Sequence, residues 1–194
     1  ITVKARDGLD LHGYLVLPPG REAKSLPMIV VPHGGPHQVR DYWAFDEESQ
    51  LLASRGYAVL RLNFRGSSGY GTAFETAGYR QWGGTMQNDL ADAVRWTVAE
   101  GIADGDRVCI YGASYGGYAA MMNTARYPDL YQCAAGYVGV YDLPLMFQDG
   151  NIRRSQSGRA YLGIVLGNAD LAEFSPVNHA DKIKIPVFLI HGAQ

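Results

Sequence analysis

Apolar positions in this chain fall into short runs separated by glycine- and proline-rich breaks, and the period of each run predicts its conformation. Val3 to Ala5 and Leu11 to Leu17, parted by Arg6-Asp7-Gly8, predict a β-hairpin with a glycine turn. Met28 to Val31 is continuously apolar, the pattern of a short strand buried on both faces. Glu47 to Arg55 suits a helix closed by Gly56, and Tyr57 to Leu62 alternates with enough β-branched and aromatic content for a strand. Gln87 to Glu100 sets Leu90, Ala93, Val94 and Thr97 on one helical stripe that ends at Gly101. Val108 to Tyr111, Cys133 to Val138 and Val187 to Ile190 read as further strands, and Tyr115 to Arg126 as a helix broken near Pro128. Between Leu143 and Lys184 the periodicity weakens. Ser175-Pro176 and Ile185-Pro186 punctuate that segment, which predicts irregular helices and loops over the strand ends.

From residue 28 onward strands and helices alternate, so the expected fold is α/β: a mainly parallel sheet with helices on both faces and an antiparallel N-terminal hairpin. A chain of 194 residues fits one domain, and no shift in composition marks a second. With 47% hydrophobic and 19% charged residues, the chain has the composition of a globular protein. The net charge of −2 and scattered basic residues, with Arg153-Arg154 the only basic doublet, argue against a nucleic-acid partner. No apolar run approaches the ~20 residues needed to span a bilayer, so no membrane partner is expected. The N-terminal Ile1-Thr2-Val3-Lys4 lacks the regions of a signal peptide. Cys109 and Cys133 lie inside apolar, strand-like runs, which predicts two buried free thiols in preference to a disulfide. The 24 glycines are more informative, because they cluster at 33–36, 66–71, 83–84 and 112–117 behind strand-like runs, as tight strand-to-helix turns require.

The last of these clusters carries chemistry. Gly112-Ala113-Ser114-Tyr115-Gly116-Gly117 is a G-x-S-x-G pattern directly after one strand and directly before a helix. A nucleophilic serine must project from a sharp, strained turn so that its hydroxyl clears the sheet, and its neighbours must lack bulk so that the helix can approach. The helix N-terminus adds positive potential and free N–H groups where an oxyanion would develop. Ser114 is therefore the candidate nucleophile. The plain alternative is a glycine-rich turn whose serine caps the helix. A dinucleotide-binding turn does not fit, because G-x-G-x-x-G spacing is absent there.

His33-Gly34-Gly35-Pro36 follows an earlier strand. An acyl-transfer site needs two N–H donors, one from the residue after the nucleophile and one from such a loop. Tyr115 supplies the first and Gly35 is the candidate for the second, since a Cβ there would obstruct an approaching carbonyl. The alternatives are an ordinary turn or a His33/His37 metal pair. Gly34-Gly35-Pro36 cannot hold those two histidines on one helical face, so no metal and no cofactor is expected.

At these residues the sequence resembles the prolyl oligopeptidase family of serine peptidases, and most of all its acylaminoacyl-peptidase and dipeptidyl-peptidase-like branches. The resemblance extends through Asn63 to Gly71, Trp82-Gly83-Gly84, Asp89-Leu90, Ser175-Pro176 and Ile185 to Gly192, and so covers essentially the whole chain. It implies an α/β-hydrolase fold and hydrolysis of peptide or acyl-peptide bonds through an acyl-enzyme on Ser114, with peptides as substrates. It also implies that apolar residues of the segment Val140 to Met146 line the pocket for the side chain preceding the scissile bond. Val140, Leu143 and Met146 are the candidates, against a reading in which they are ordinary core. A carboxylesterase or lipase-like hydrolase would use the same elbow, and a non-catalytic interaction domain could keep the same fold.

In the family an orienting Asp ends a His-Gly-x-x-Asp run, and a general-base His follows later. Here the run is His191-Gly192-Ala193-Gln194, so the Asp would be the next residue. The resemblance thus implies a hydrolase domain short of its last strand and helix, without the β-propeller that family members carry. Two expectations result: little Ser-directed turnover by the 194 residues alone, and self-association through an exposed edge at the strand ending in Ile190.

Overall fold

The computed structural model describes residues 1–167 and 169–192. Its strands are β1 (Thr2–Lys4), β2 (Asp10–Val16), β3 (Leu26–Val30), β4 (Ala58–Asn63), β5 (Ala103–Ala113), β6 (Cys133–Tyr137) and β7 (Val187–Ile190), joined in one seven-stranded sheet of order β1-β2-β4-β3-β5-β6-β7. The hairpin β1–β2 is antiparallel, and β2 runs antiparallel to β4 with His12 opposite Asn63. From β4 through β3, β5 and β6 to β7 every pairing is parallel. The predicted α/β architecture with its N-terminal hairpin is therefore the observed one.

Helices α1 (Glu47–Ser54), α2 (Thr72–Thr76), α3 (Thr85–Ala99), α4 (Tyr115–Arg126), α5 (Leu143–Asp149) and α6 (Gln156–Val165) connect the strands, with 3-10 turns at Asn151–Arg154 and Pro176–Lys182. Strand alternation assigns the two faces of the sheet. Met28, Val30, Leu60, Leu62, Val108, Ile110 and Ala134 point to one face and are buried with Leu90, Val94, Tyr118 and Met122 of α3 and α4. Residues on the other face of β5 and β6, among them Tyr111, Ala113, Ala135 and Tyr137, are half-buried or exposed, although Glu48 of α1 reaches Tyr111. Among the described residues no helix is long and apolar enough to cross a membrane.

One buried ion cluster ties the N-terminal hairpin to this frame. Arg65, just past β4, is bidentate to Asp89 of α3 through Nε and Nη2, at 2.8 and 2.7 Å, and its backbone N–H donates to the same carboxylate at 2.9 Å. Its Nη1 reaches Asp7 in the β1–β2 turn at 2.7 Å. Asp89 is 0% exposed. Burial, opposed by Arg65, pushes its carboxyl up to about 6, and the two carboxylates in turn hold Arg65 protonated.

Three features depart from the sequence reading. Where irregular structure was predicted, α5 and α6 are regular helices with side-chain caps: Asp142 accepts from Leu145 N–H, and Ser155 from Gly158 N–H. Gly158 and Gly163 had hidden the helical period of α6. Strand β5 starts at Ala103, because the polar stretch Asp104 to Arg107 lies inside it, with a register shift between Leu26 and Met28 of its partner. Finally, Cys109 and Cys133 are not free thiols. They are register partners in neighbouring strands and form a disulfide.

Candidate active site

Parallel α/β sheets place ligand sites beyond the carboxyl ends of their strands, and here the interior strand β5 is followed directly by Ser114. This residue is exposed, with φ +55°, a conformation that L side chains rarely adopt. Its N–H donates to Tyr137 O at 2.9 Å and its carbonyl accepts from Tyr118 N–H at 3.0 Å, which locks the turn between β6 and α4. The Ser114 side chain does not cap α4. The capping alternative raised by the sequence therefore fails, and the hydroxyl faces outward. Two glycines make the turn sterically possible. A Cβ on Gly112 would strike the backbone of Gly116, and one on Gly116 would strike Pro32 O at the end of β3.

Tyr115 opens α4, where a backbone N–H has no partner within the helix. Its side chain is fully buried, with the phenol near Gln87 Nε2 at 3.3 Å, and burial pushes that phenol's pKa up. Only its backbone N–H is left for chemistry. Gly35 adopts φ +107°, and a Cβ there would collide with Val39 Cγ2. Glycine is thus demanded by the path of the loop itself, a different reason from the one read in the sequence.

The histidines fix this loop from below. His33 stacks on Phe64 with ring centroids 4.4 Å apart, and its ring nitrogens meet Gly34 O and Ser67 Oγ at 2.7 and 2.8 Å. Burial holds its pKa below the ordinary histidine value. His37 accepts from Trp82 Nε1–H at 3.2 Å, so its Nδ1 carries the proton and donates to Gly66 O at 3.1 Å. Burial pushes its pKa down to about 4. A shared metal between these two does not fit, since each is bonded to its own partners; among the described residues no group of three or more His, Cys, Asp or Glu could hold an ion. His12 stacks on Tyr70 and His179 bonds Glu173 O at 2.6 Å.

A cavity of about 840 Å³ opens above the strand ends. Its lining includes Gly35, Ser114, Tyr115, Val140, Tyr141, Leu145, Met146, Tyr161 and His191. Val140 and Met146, two of the three pocket candidates, line the same cavity as Ser114. Leu143 does not: it is 0% exposed and belongs to the core. The reason is the helical phase of α5, which turns its first residue inward and carries Leu145 to the cavity. Leu145 of α5, Tyr161 of α6 and Tyr141 just before α5 line the cavity as well, and the weak apolar period of this segment does not mark them. The expected His-Gly-x-x-Asp run reaches Ala193 and Gln194, which lie outside the described residues.

Residues 43–194 match the prolyl oligopeptidase family. The chain belongs to that family. It is 36% identical to dipeptidyl aminopeptidase BIII of Pseudoxanthomonas mexicana, a match covering 100% of this chain and 30% of that protein. The fold superposes on a puromycin-hydrolyzing peptidase of Mycobacterium tuberculosis with a TM-score of 0.88 and 30% identity, over 99% of this chain and 30% of that one. An acylaminoacyl peptidase of Pyrococcus horikoshii gives a TM-score of 0.85 and 29% identity, over 98% and 31%. The chain therefore has the α/β-hydrolase fold of prolyl oligopeptidase family peptidases and spans about a third of the length of these relatives.

Proposed function

We propose that this chain carries the nucleophile and oxyanion half of a serine peptidase site that hydrolyses peptide or acyl-peptide bonds through an acyl-enzyme on Ser114. One observation carries the reading: an exposed serine at positive φ, directly after the interior strand β5, shares a cavity with Gly35 and with Tyr115, the first residue of α4. A substrate carbonyl oxygen lies between the backbone N–H groups of Tyr115 and Gly35. Ser114 Oγ attacks the carbonyl carbon and gives its proton to a general base, which passes it to the leaving amine as the C–N bond breaks. Water then hydrolyses the ester and restores the hydroxyl. Val140 and Met146, with Leu145 beside them, take the apolar side chain that precedes the scissile bond.

We place the base and its orienting acid outside residues 1–194. Four of the five histidines make hydrogen bonds or ring stacks away from Ser114, and His191 is the strand-end residue that precedes the expected acid. The 194-residue chain is thus expected to react slowly with a fluorophosphonate probe, because an unassisted serine hydroxyl is a poor nucleophile at neutral pH. Labelling of Ser114 as fast as in a full-length relative would overturn that assignment and make His191 the candidate base.

The chemistry itself is tested in the natural polypeptide containing this chain, with acyl-amino-acid and dipeptidyl anilides set against p-nitrophenyl esters. Anilide cleavage that is lost in Ser114→Ala is the expected result. Cleavage of esters alone would replace the peptidase reading with an esterase one. Turnover of neither would favour an interaction domain, although a strained turn costing about 1–3 kcal/mol has no evident purpose in one.

A further inference from the structure

The bond between Cys109 and Cys133 has a position that sets it apart from an ordinary surface staple. The two residues are direct register partners in β5 and β6, with Cα atoms 4.8 Å apart. The disulfide links positions 24 residues apart, and the segment between them contains Ser114, its flanking glycines and all of α4. Both cysteines are half-buried, on the sheet face shared with Tyr111, Ala113 and Ala135 and left uncovered by α3 and α4.

The strands do not need the bond to stay in register. Four further pairs, from Ile110 with Ala134 to Ala113 with Tyr137, continue the ladder toward the site. The two thiols would therefore remain adjacent after reduction, ready to close again. The top of this ladder is also where the elbow is held, because Ser114 N–H donates to Tyr137 O. Opening of the β5–α4–β6 unit releases more chain entropy when its ends are free than when they are tethered, so the bond suppresses that opening.

We propose that Cys109–Cys133 is a reversible dithiol–disulfide site that governs how readily the unit carrying Ser114 opens. Reduction follows ordinary exchange. A thiolate of a dithiol attacks one Sγ, the S–S bond breaks, and a mixed disulfide forms. The dithiol's second thiolate then displaces the protein sulfur. The cystine gains two electrons and two protons, and the dithiol leaves as its own disulfide. The proposal stands apart from the peptidase reading and survives that reading's failure.

Thiol counting and hydrogen exchange on the full chain test it. After treatment with oxidised glutathione, the protein unfolded in guanidinium should show no reactive thiol, and after dithiothreitol it should show two. Amide exchange across residues 110–126 should accelerate on the order of a hundredfold on reduction, while the β1–β2 hairpin changes little, and reoxidation should restore protection. Two reactive thiols after the glutathione step would overturn the proposal. So would exchange that is unchanged on reduction, or that rises equally everywhere. The double variant Cys109→Ser, Cys133→Ser should exchange at the reduced rate under both conditions. Should that variant not fold, reduced and reoxidised wild-type protein decide the matter alone.

Discussion

Ser114 holds a backbone conformation, φ +55° and ψ −120°, that costs a non-glycine residue about 1–3 kcal/mol. Removing the side chain should relieve it. Ser114→Gly is expected to stabilise the chain by about 1 kcal/mol in urea denaturation, whereas Ser114→Ala keeps the Cβ and brings no such gain. Both should abolish fluorophosphonate labelling. Equal stability of the two variants would show that the turn stores no strain. At this scale the sharp turn at Ser114 and the glycine loop at Gly35 were legible as backbone features, because a serine between small residues after a strand, and paired glycines before a proline, mark tight turns. Leu143 and Leu145 were not, since only the start of α5 decides which of them turns inward. The bond between the cysteines was not legible either: it depends on the register between two strands, which periodicity within each strand does not encode.

Among the elements, the β1–β2 turn, the loop after β4 and helix α3 meet on a single guanidinium. Arg65→Met would leave the fully buried carboxylate of Asp89 without its bidentate partner. The expected cost is about 3–5 kcal/mol in chemical denaturation, and Arg65→Met combined with Asp89→Leu should recover much of it. A single-variant cost below about 1 kcal/mol would mean that the cluster is solvated in solution. Lysine is not a conservative replacement, because it lacks the planar fork that spans Asp89 and Asp7 together. The strands of the sheet were readable from their apolar runs, since buried parallel strands carry little else. The early start of β5 was masked by Asp104 to Arg107, and α6 by its glycines, where tertiary packing overrides local preference.

At the scale of the whole sheet, its two ends differ among the described residues. Among the described residues β7 pairs with β6 alone, and its four consecutive side chains are all exposed, Phe188 at 65%. Consecutive residues of a strand point to opposite faces, so in the 194 residues taken alone both faces are open beside an unpaired edge, an arrangement that recruits further strands. Light scattering of the 194-residue chain should show mass rising with concentration, and a stable monomer at high concentration would count against association through this edge. The same sheet sets the order in which the site can come into being. Pro32 O abuts Gly116 and Tyr137 O receives the Ser114 N–H, so the turn is assembled from three segments brought together by parallel pairings of long sequence separation. Such pairings form slowly, after their loop-closure entropy has been met. In the natural polypeptide containing this chain, a reactive Ser114 would then be one of the last things that refolding acquires, and the onset of probe labelling would time the completion of the sheet.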